Sequence, residues 1–202
     1  MTQQDAEQQL AGIVLAGGRS RRMGRDKAGI DWEGEPMLAR VVRVVGERCR
    51  PVLVVASEDS AAYRALHGTG GPEAQWVTDE EPGTGPLGGL AVGLAQAAAA
   101  GARWAFVCAT DMPLISAELI DELRRGVTSS VQAVIAHDMG RDHPMAALYR
   151  TDASEVIAGL AAQGERRMLG ALDALTTHRV AVSNPDWLTN VNAPEDLHRL
   201  HV

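Results

Sequence analysis

The chain has 202 residues, a net charge of -7 at pH 7 and two cysteines, enough length for a substantial core without staples. Its acidic balance disfavours general nucleic-acid binding, and Cys49 and Cys108, each beside apolar residues, read as buried free thiols of a reducing compartment rather than a metal cluster, with a disulfide left for structure to exclude. The first residues show no secretory pattern, and the longest weakly polar stretch, 88–103, falls short of a membrane span, so the expectation is a soluble cytoplasmic protein with no membrane and no nucleic-acid partner.

Residues 1–9 read as a polar tail and 10–202 as one domain. The near-continuous apolar run 11–16 predicts a strand buried on both faces. It empties into Gly17 and Gly18 and then into a basic stretch in which five of the nine residues from Arg19 to Lys27 are Arg or Lys. Paired glycines after a buried strand let the backbone approach a ligand, and successive N–H groups there can hold phosphate oxygens. The spacing fits neither the P-loop, since Lys27 follows Asp26 and precedes Ala28, nor the dinucleotide fingerprint. A nonstandard loop remains, in which Arg19, Arg22 and Lys27 brace phosphates. A solvated basic turn is the alternative.

Further along, arginines three apart leave an apolar stripe over 37–45 and predict a helix starting near Pro36. Residues 51–56 read as a second strand, 57–67 as a short helix capped by Ser57, and 74–77 as a third strand. A turn-rich loop, 78–89, leads to a helix over 90–100, followed by a strand over 104–108 and a Ser116-capped helix to Arg125. The second half reads as a strand over 131–136, a polar connection over 137–144, a strand over 145–149, helices over 151–162 and 165–175 and a strand over 178–182. Asn192 and Glu195 have capping-box spacing ahead of a last helix, 194–200. This alternation predicts an α/β, Rossmann-like three-layer fold with a mostly parallel central sheet and helices on both faces. Ligands in such folds sit at the carboxyl ends of the strands, where the Gly17, Asp79 and Asp111 loops are expected to converge.

Asp111, just beyond a buried strand, suits Mg2+, which binds through one or two carboxylates, waters and substrate phosphates. A turn aspartate accepting backbone N–H groups is the plainer reading. Asp79 can accept from a base, a ribose or a metal-bound water, or belong to a solvated acidic turn. The glycine-rich stretch around Gly85, Pro86 and Leu87 can present backbone to a planar base, or simply connect to the next helix. Arg141 and His143 can meet a second anionic substrate or be solvated, and Asn190 and Asn192 divide between ligand and cap. Neither zinc spacing among the histidines nor a G-x-S-x-G elbow occurs.

The segment from Leu15 to Lys27, with its Arg-Arg-Met-Gly-x-Asp-Lys form, is followed in order by Gly85-Pro86-Leu87-Gly88-Gly89, by Cys108-Ala109-Thr110-Asp111-Met112-Pro113 and by the Asn190-Val191-Asn192 ending. Together they resemble the signature of the molybdenum cofactor guanylyltransferases, within the sugar-nucleotidyltransferase-like superfamily. The resemblance implies the nucleotidyltransferase fold and transfer of GMP from GTP to the terminal phosphate of molybdenum-molybdopterin, with pyrophosphate released and Mg2+ required. It implies that Leu15, Ala16, Gly17, Gly18, Asp79, Gly85, Pro86 and Leu87 contact the nucleotide and that Asp111 holds the metal. It also implies that Arg19, Arg22 and Lys27 act on the phosphates, while Arg141, His143, Asn190 and Asn192 face molybdopterin. Molybdopterin-insertion proteins and molybdenum enzymes are the implied protein partners. Where many relatives place asparagine at the end of the second strand, this chain has Val55, Ala56 and Ser57, so one side-chain contact to the nucleotide is lost. A family member using CTP carries a similar loop. Cytidylyl transfer, transfer to another phosphorylated acceptor, and a nucleotide-binding module without catalysis are the alternatives.

Overall fold

The computed structural model describes residues 9–16, 30–57, 60, 62, 73–78, 85–191 and 196. Every residue of the opening strand, β1 (Leu10–Leu15), is buried, as its unbroken apolar run predicts. β1 pairs in parallel with β4 (Val52–Ala56) on one side and with β6 (Trp104–Ala109) on the other, and β4 pairs in parallel with β5 (Gln75–Thr78). Beyond β6 come β8 (Arg141–Arg150), β7 (Ala133–Asp138) and β9 (Thr177–Ala181), giving the order β5-β4-β1-β6-β8-β7-β9. Among the described residues only β8 runs against the other strands of this sheet.

Alternate residues of each strand face two separate cores. Val14, Val54 and Phe106 pack with α1 (Met37–Val45) and α3 (Ala117–Arg125), whereas Ile13, Leu53 and Val107 pack with α2 (Gly85–Ala99), α4 (Ser154–Ala162) and α5 (Met168–Ala174). The expected mostly parallel sheet with helices on both faces is therefore observed. α1 follows its stripe, burying Leu38, Val41, Val42 and Val45 while Arg43 stays exposed. α3 starts where Ser116 predicts, with its hydroxyl accepting from the Glu118 N–H at 3.1 Å. Both cysteines are free thiols in the α1–α3 core, and burial pushes the Cys49 thiol up to about 12 and that of Cys108 well above its ordinary value.

Four expectations change. α2 begins at Gly85, five residues before the predicted start at Leu90, because Gly85 turns the chain at φ +71° and Pro86, lacking an N–H, sits in a first turn that needs none. Gly89, which read as loop, and Gly93, inside the expected helix, both bring this helix onto the sheet: a Cβ on Gly93 would lie 2.8 Å from Ile13 Cγ2, and one on Gly89 3.5 Å from Leu15 Cδ2. The polar stretch 137–144 is no connection but the end of a β7–β8 hairpin. Its turn is only Met139 and Gly140, both at positive φ, and its polar residues reflect the solvated end of a sheet. α5 starts at Met168 rather than 165, because the Glu165 carboxylate accepts from the N–H groups of Arg166 and Arg167 at 2.8 and 2.9 Å and holds that segment as a turn. A small hairpin absent from the sequence reading, β2 (Asp31–Trp32) with β3 (Glu35–Pro36), buries Trp32 against Met37 and Val191. The helices expected over 57–67 and 194–200 fall, apart from single residues, outside the described residues.

Candidate functional site

The strand order creates a switch point. From β1 the chain moves outward through β4 to β5, then returns to the opposite side of β1 as β6, so connections diverge above the carboxyl ends of β1 and β6. Strand ends line up there: Thr78 is level with Ala56, and Leu15 is level with Val55 on one side and Ala109 on the other. With neighbouring strands about 4.8 Å apart, β5 to β6 spans roughly 14 Å along this edge. Of the residues expected at the nucleotide, Leu15 closes β1 and Ala16 follows it, its N–H bonded to the Val55 carbonyl at 2.9 Å. Gly17, Gly18, Arg19, Arg22, Lys27 and Asp79 lie outside the described residues.

α2 descends from the same edge, since Gly89 lies over Leu15 and Gly93 over Ile13, one helical turn lower and one strand pleat further back. Its amino end, with exposed Gly85 and Pro86, therefore stands above β1, where the helix dipole favours an anion. The side chain of Leu87 is fully buried and serves the core.

Asp111, half-buried, follows β6 and is held from three directions. Thr110 donates its N–H and its hydroxyl to the Leu15 carbonyl, each at 3.3 Å, tying the loop to β1. Arg40 on α1 donates Nε to the Pro113 carbonyl at 2.6 Å, and Met112 and Ile115 plug the core beneath. The Val191 N–H donates to the Asp111 carbonyl at 2.8 Å, and Val191 is buried against Trp32 and Met37. Exposed Asn190 is thereby carried next to Asp111 although 79 positions separate them. Asn192 lies outside the described residues.

On the other flank, the last β6–β8 pair is Cys108 with Ala146, yet β8 starts at Arg141, so residues 141–145 overhang the end of β6. Arg141 and His143 thus belong to a strand rather than a loop, and they stand on the Asp111 edge of the sheet. The Tyr149 hydroxyl donates to the Pro144 carbonyl at 2.9 Å and pins the irregular pairing between. Asp142 accepts from Arg179 Nε at 3.0 Å and Nη2 at 2.8 Å and contacts His137 Nδ1 at 2.7 Å, locking the hairpin to β9. Arg179 and then His137 hold the Asp142 carboxyl below its ordinary range despite some burial. Burial and the neighbouring Arg141 lower the His143 pKa, and its Nε2 is buried with no partner among the described residues.

Arg166 and Arg167 had no site role in the sequence reading, which placed them in a helix. The Arg166 carbonyl lies 3.3 Å from where a Cβ on Gly85 would be, so the turn before α5 abuts the amino end of α2. The charge cluster Glu165-Arg166-Arg167 after Gly164 was the available signal. Arg167 with the two backbone N–H groups drives the half-buried Glu165 carboxyl down to about 2.

Among the described residues no group of three or more His, Cys, Asp or Glu side chains forms a metal cage. The Asp111 carboxylate at the crevice edge is a hard oxygen donor, the kind that fits a cation taking most of its ligands from water and substrate phosphates, as Mg2+ does. Among the described residues the arrangement is thus the amino end of α2 above β1 and the Asp111 carboxylate after β6, both at the carboxyl edge of the sheet. No described helix is long and apolar enough to cross a membrane.

Comparison with known proteins agrees with this architecture. The MobA-like NTP transferase domain family matches residues 12–177. A probable molybdenum cofactor guanylyltransferase of Mycobacterium marinum is 45% identical over 191 residues, covering 93% of this chain and 91% of that protein. Its counterpart from Mycobacterium avium is 45% identical over 194 residues, covering 95% of each. Among solved structures, molybdopterin-guanine dinucleotide biosynthesis protein A from Archaeoglobus fulgidus has a TM-score of 0.76 at 23% identity, covering 94% of this chain and 95% of that one. A nucleotidyl transferase from Methanothermobacter thermautotroptrophicus has a TM-score of 0.76 at 19% identity, covering 95% of both chains. These two structural likenesses speak for the fold.

Proposed function

The chain belongs to the MobA-like NTP transferase family and is a nucleotidyltransferase; from that premise we propose that it transfers GMP from GTP to the terminal phosphate of molybdenum-molybdopterin, releasing pyrophosphate. The observation that carries the reading is the 45% identity, across 93–95% of the chain, to relatives described as probable molybdenum cofactor guanylyltransferases. A crevice with Asp111 between two flanks supports it, one flank for a nucleotide and one for an acceptor.

In this reading the acceptor's ionised phosphate attacks the α-phosphorus of GTP in line, and pyrophosphate leaves. Such transfer needs positioning and charge neutralisation, and no protein nucleophile. The backbone following Leu15 and the amino end of α2 orient the triphosphate. Arg19, Arg22 and Lys27 offset charge that gathers on the departing pyrophosphate. Asp111 holds Mg2+, which when bound supplies electrophilic stabilisation of the phosphate oxygens. Arg141, His143 and Asn190, with Asn192, receive the acceptor, and the cytoplasm with its molybdopterin-insertion proteins and molybdenum enzymes is the setting.

A panel of GTP, CTP, ATP and UTP with molybdenum-loaded molybdopterin, read as pyrophosphate formed, tests the reading. GTP is expected to lead by at least about tenfold, the margin of one well-placed polar contact. Leadership by CTP would replace guanylyl with cytidylyl transfer, and binding without turnover would replace the enzyme with a binding module. Lys27→Ala is expected to lower GMP transfer by about 10²-fold with an unchanged melting temperature, since one charge-assisted phosphate contact is removed. Near-normal transfer by that variant would remove Lys27 from the phosphate site.

A further inference from the structure

Trp32 is the largest fully buried side chain among the described residues, yet it belongs to neither of the two cores that flank the sheet. It is 1% exposed, in a small third cluster with fully buried Met37 and Val191, and Ile30 and Leu114 pack against that cluster. Four pieces of chain therefore meet there: the β2–β3 hairpin with the residue that leads into it, the start of α1, the loop after β6 that carries Asp111, and the segment that carries Asn190.

The indole is carried on a firm element. The Gly34 N–H donates to Asp31 Oδ1 at 3.1 Å across the hairpin turn, and the Met37 N–H donates to the Ile30 carbonyl at 2.8 Å, closing the hairpin on α1. Arg40 Nη1 lies 3.6 Å from Glu33, and Arg43 Nη2 donates to Glu35 at 2.6 Å, so two arginines of α1 hold the hairpin from outside.

The two functional neighbours of the cluster are held unequally. The Asp111 loop has ties of its own, from Thr110 to Leu15 and from Arg40 to Pro113. The other segment is seated by Leu188 in the α1–α3 core and by the Thr189 N–H on the Asp186 carbonyl at 3.1 Å. Beyond that point its ties among the described residues are the Val191 N–H on the Asp111 carbonyl and the Val191 side chain in the Trp32 cluster. A smaller side chain at position 32 leaves a void that Val191 can shift into, and exposed Asn190 moves with it while the Asp111 carboxylate stays.

We propose that Trp32 is a positioning residue for the acceptor substrate: it seats Val191 and thereby holds Asn190 in register with Asp111. The inference rests on the reading of Asn190 as an acceptor contact. In-line transfer is sensitive to small displacements of the attacking group, so a contact that is merely loosened costs alignment as well as affinity.

The test compares Trp32→Leu and Trp32→Phe with Leu123→Ala, a control in the α1–α3 core at the end of α3 away from the Asp111 loop. Amide hydrogen exchange, melting temperature and the KM for each substrate are measured on the full chain. Trp32→Leu is expected to speed exchange of the Val191 amide at least about tenfold while the Thr110 amide keeps its protection. It is expected to raise the acceptor KM about tenfold, the worth of one misplaced hydrogen bond, with the nucleotide KM within about twofold of wild type. Trp32→Phe restores most of both, and Leu123→Ala lowers the melting temperature with both KM values kept. Should Trp32→Leu fail to fold, Val191→Ala is read in the same way, since it keeps the N–H and trims only the seated side chain. Wild-type Val191 exchange or a wild-type acceptor KM in the folded variant would overturn the role of Trp32. A nucleotide KM that rises in parallel, or the same acceptor loss in Leu123→Ala, would overturn it too, by showing general loosening. Turnover is followed with whichever triphosphate and phosphorylated acceptor lead their panels, so a leader other than GTP or molybdopterin corrects the proposed function and leaves this test standing.

Discussion

Asp111→Ala is expected to lower GMP transfer by about 10²- to 10³-fold while leaving the melting temperature nearly unchanged. The two halves of this expectation rest on different atoms. Activity depends on the carboxylate, the hard oxygen donor proposed to hold Mg2+ against the substrate phosphates. Stability depends on backbone and neighbours that the substitution spares: the Thr110 donations to Leu15, the Val191 N–H on the Asp111 carbonyl and the Arg40 contact to Pro113. Pyrophosphate release measured over a magnesium titration, beside thermal denaturation, separates the two. Wild-type turnover in the variant would end the metal assignment. Lost turnover with a strongly lowered melting temperature would instead make Asp111 a structural residue.

Gly12→Ala is expected to be the most damaging single-methyl change in the sheet, at about 2–3 kcal/mol, or roughly 5–10 °C in melting temperature for a chain of this size. A Cβ at Gly12 would lie 2.3 Å from Val45 Cγ1 and 3.1 Å from Cys49 Cβ. Val45 is β-branched and fully buried and Cys49 nearly so, hence neither can swing aside and α1 must lift from β1. α1 carries Arg40, the residue clamped to Pro113 in the Asp111 loop. Activity should therefore fall as well, although Gly12 lies at the middle of a strand. Gly159→Ala is the control: it sits in α4 with open space around the added methyl and is expected to be neutral or slightly stabilising. Equal melting temperatures for Gly12→Ala and wild type would show that α1 and β1 are less tightly packed than these distances require.

Periodicity made most elements legible, because burial on one or both faces leaves a local trace. Six continuous apolar residues are a strand buried on both sides, as β1 is, and two arginines three apart in an apolar run mark the outer face of α1. Errors arose where one residue type serves two purposes. Glycine marks a loop, yet at Gly89 it marks close contact between helix and sheet. Polar residues mark a connection, yet from His137 to Pro144 they mark the solvated end of a hairpin with a two-residue turn.

The sequence by itself determined the α/β class, the alternation of elements and the identity of the chemically capable residues around Leu15, Asp111 and Asn190, since each is written in local pattern or motif. Only the tertiary structure decided which of them meet. That β1 lies between β4 and β6, that Thr110 bonds Leu15, and that Val191 brings Asn190 to Asp111 are consequences of strand order and of packing around Trp32. Contacts across some eighty to a hundred positions leave no periodic signal in a single chain, because they are selected by how whole layers bury their faces together.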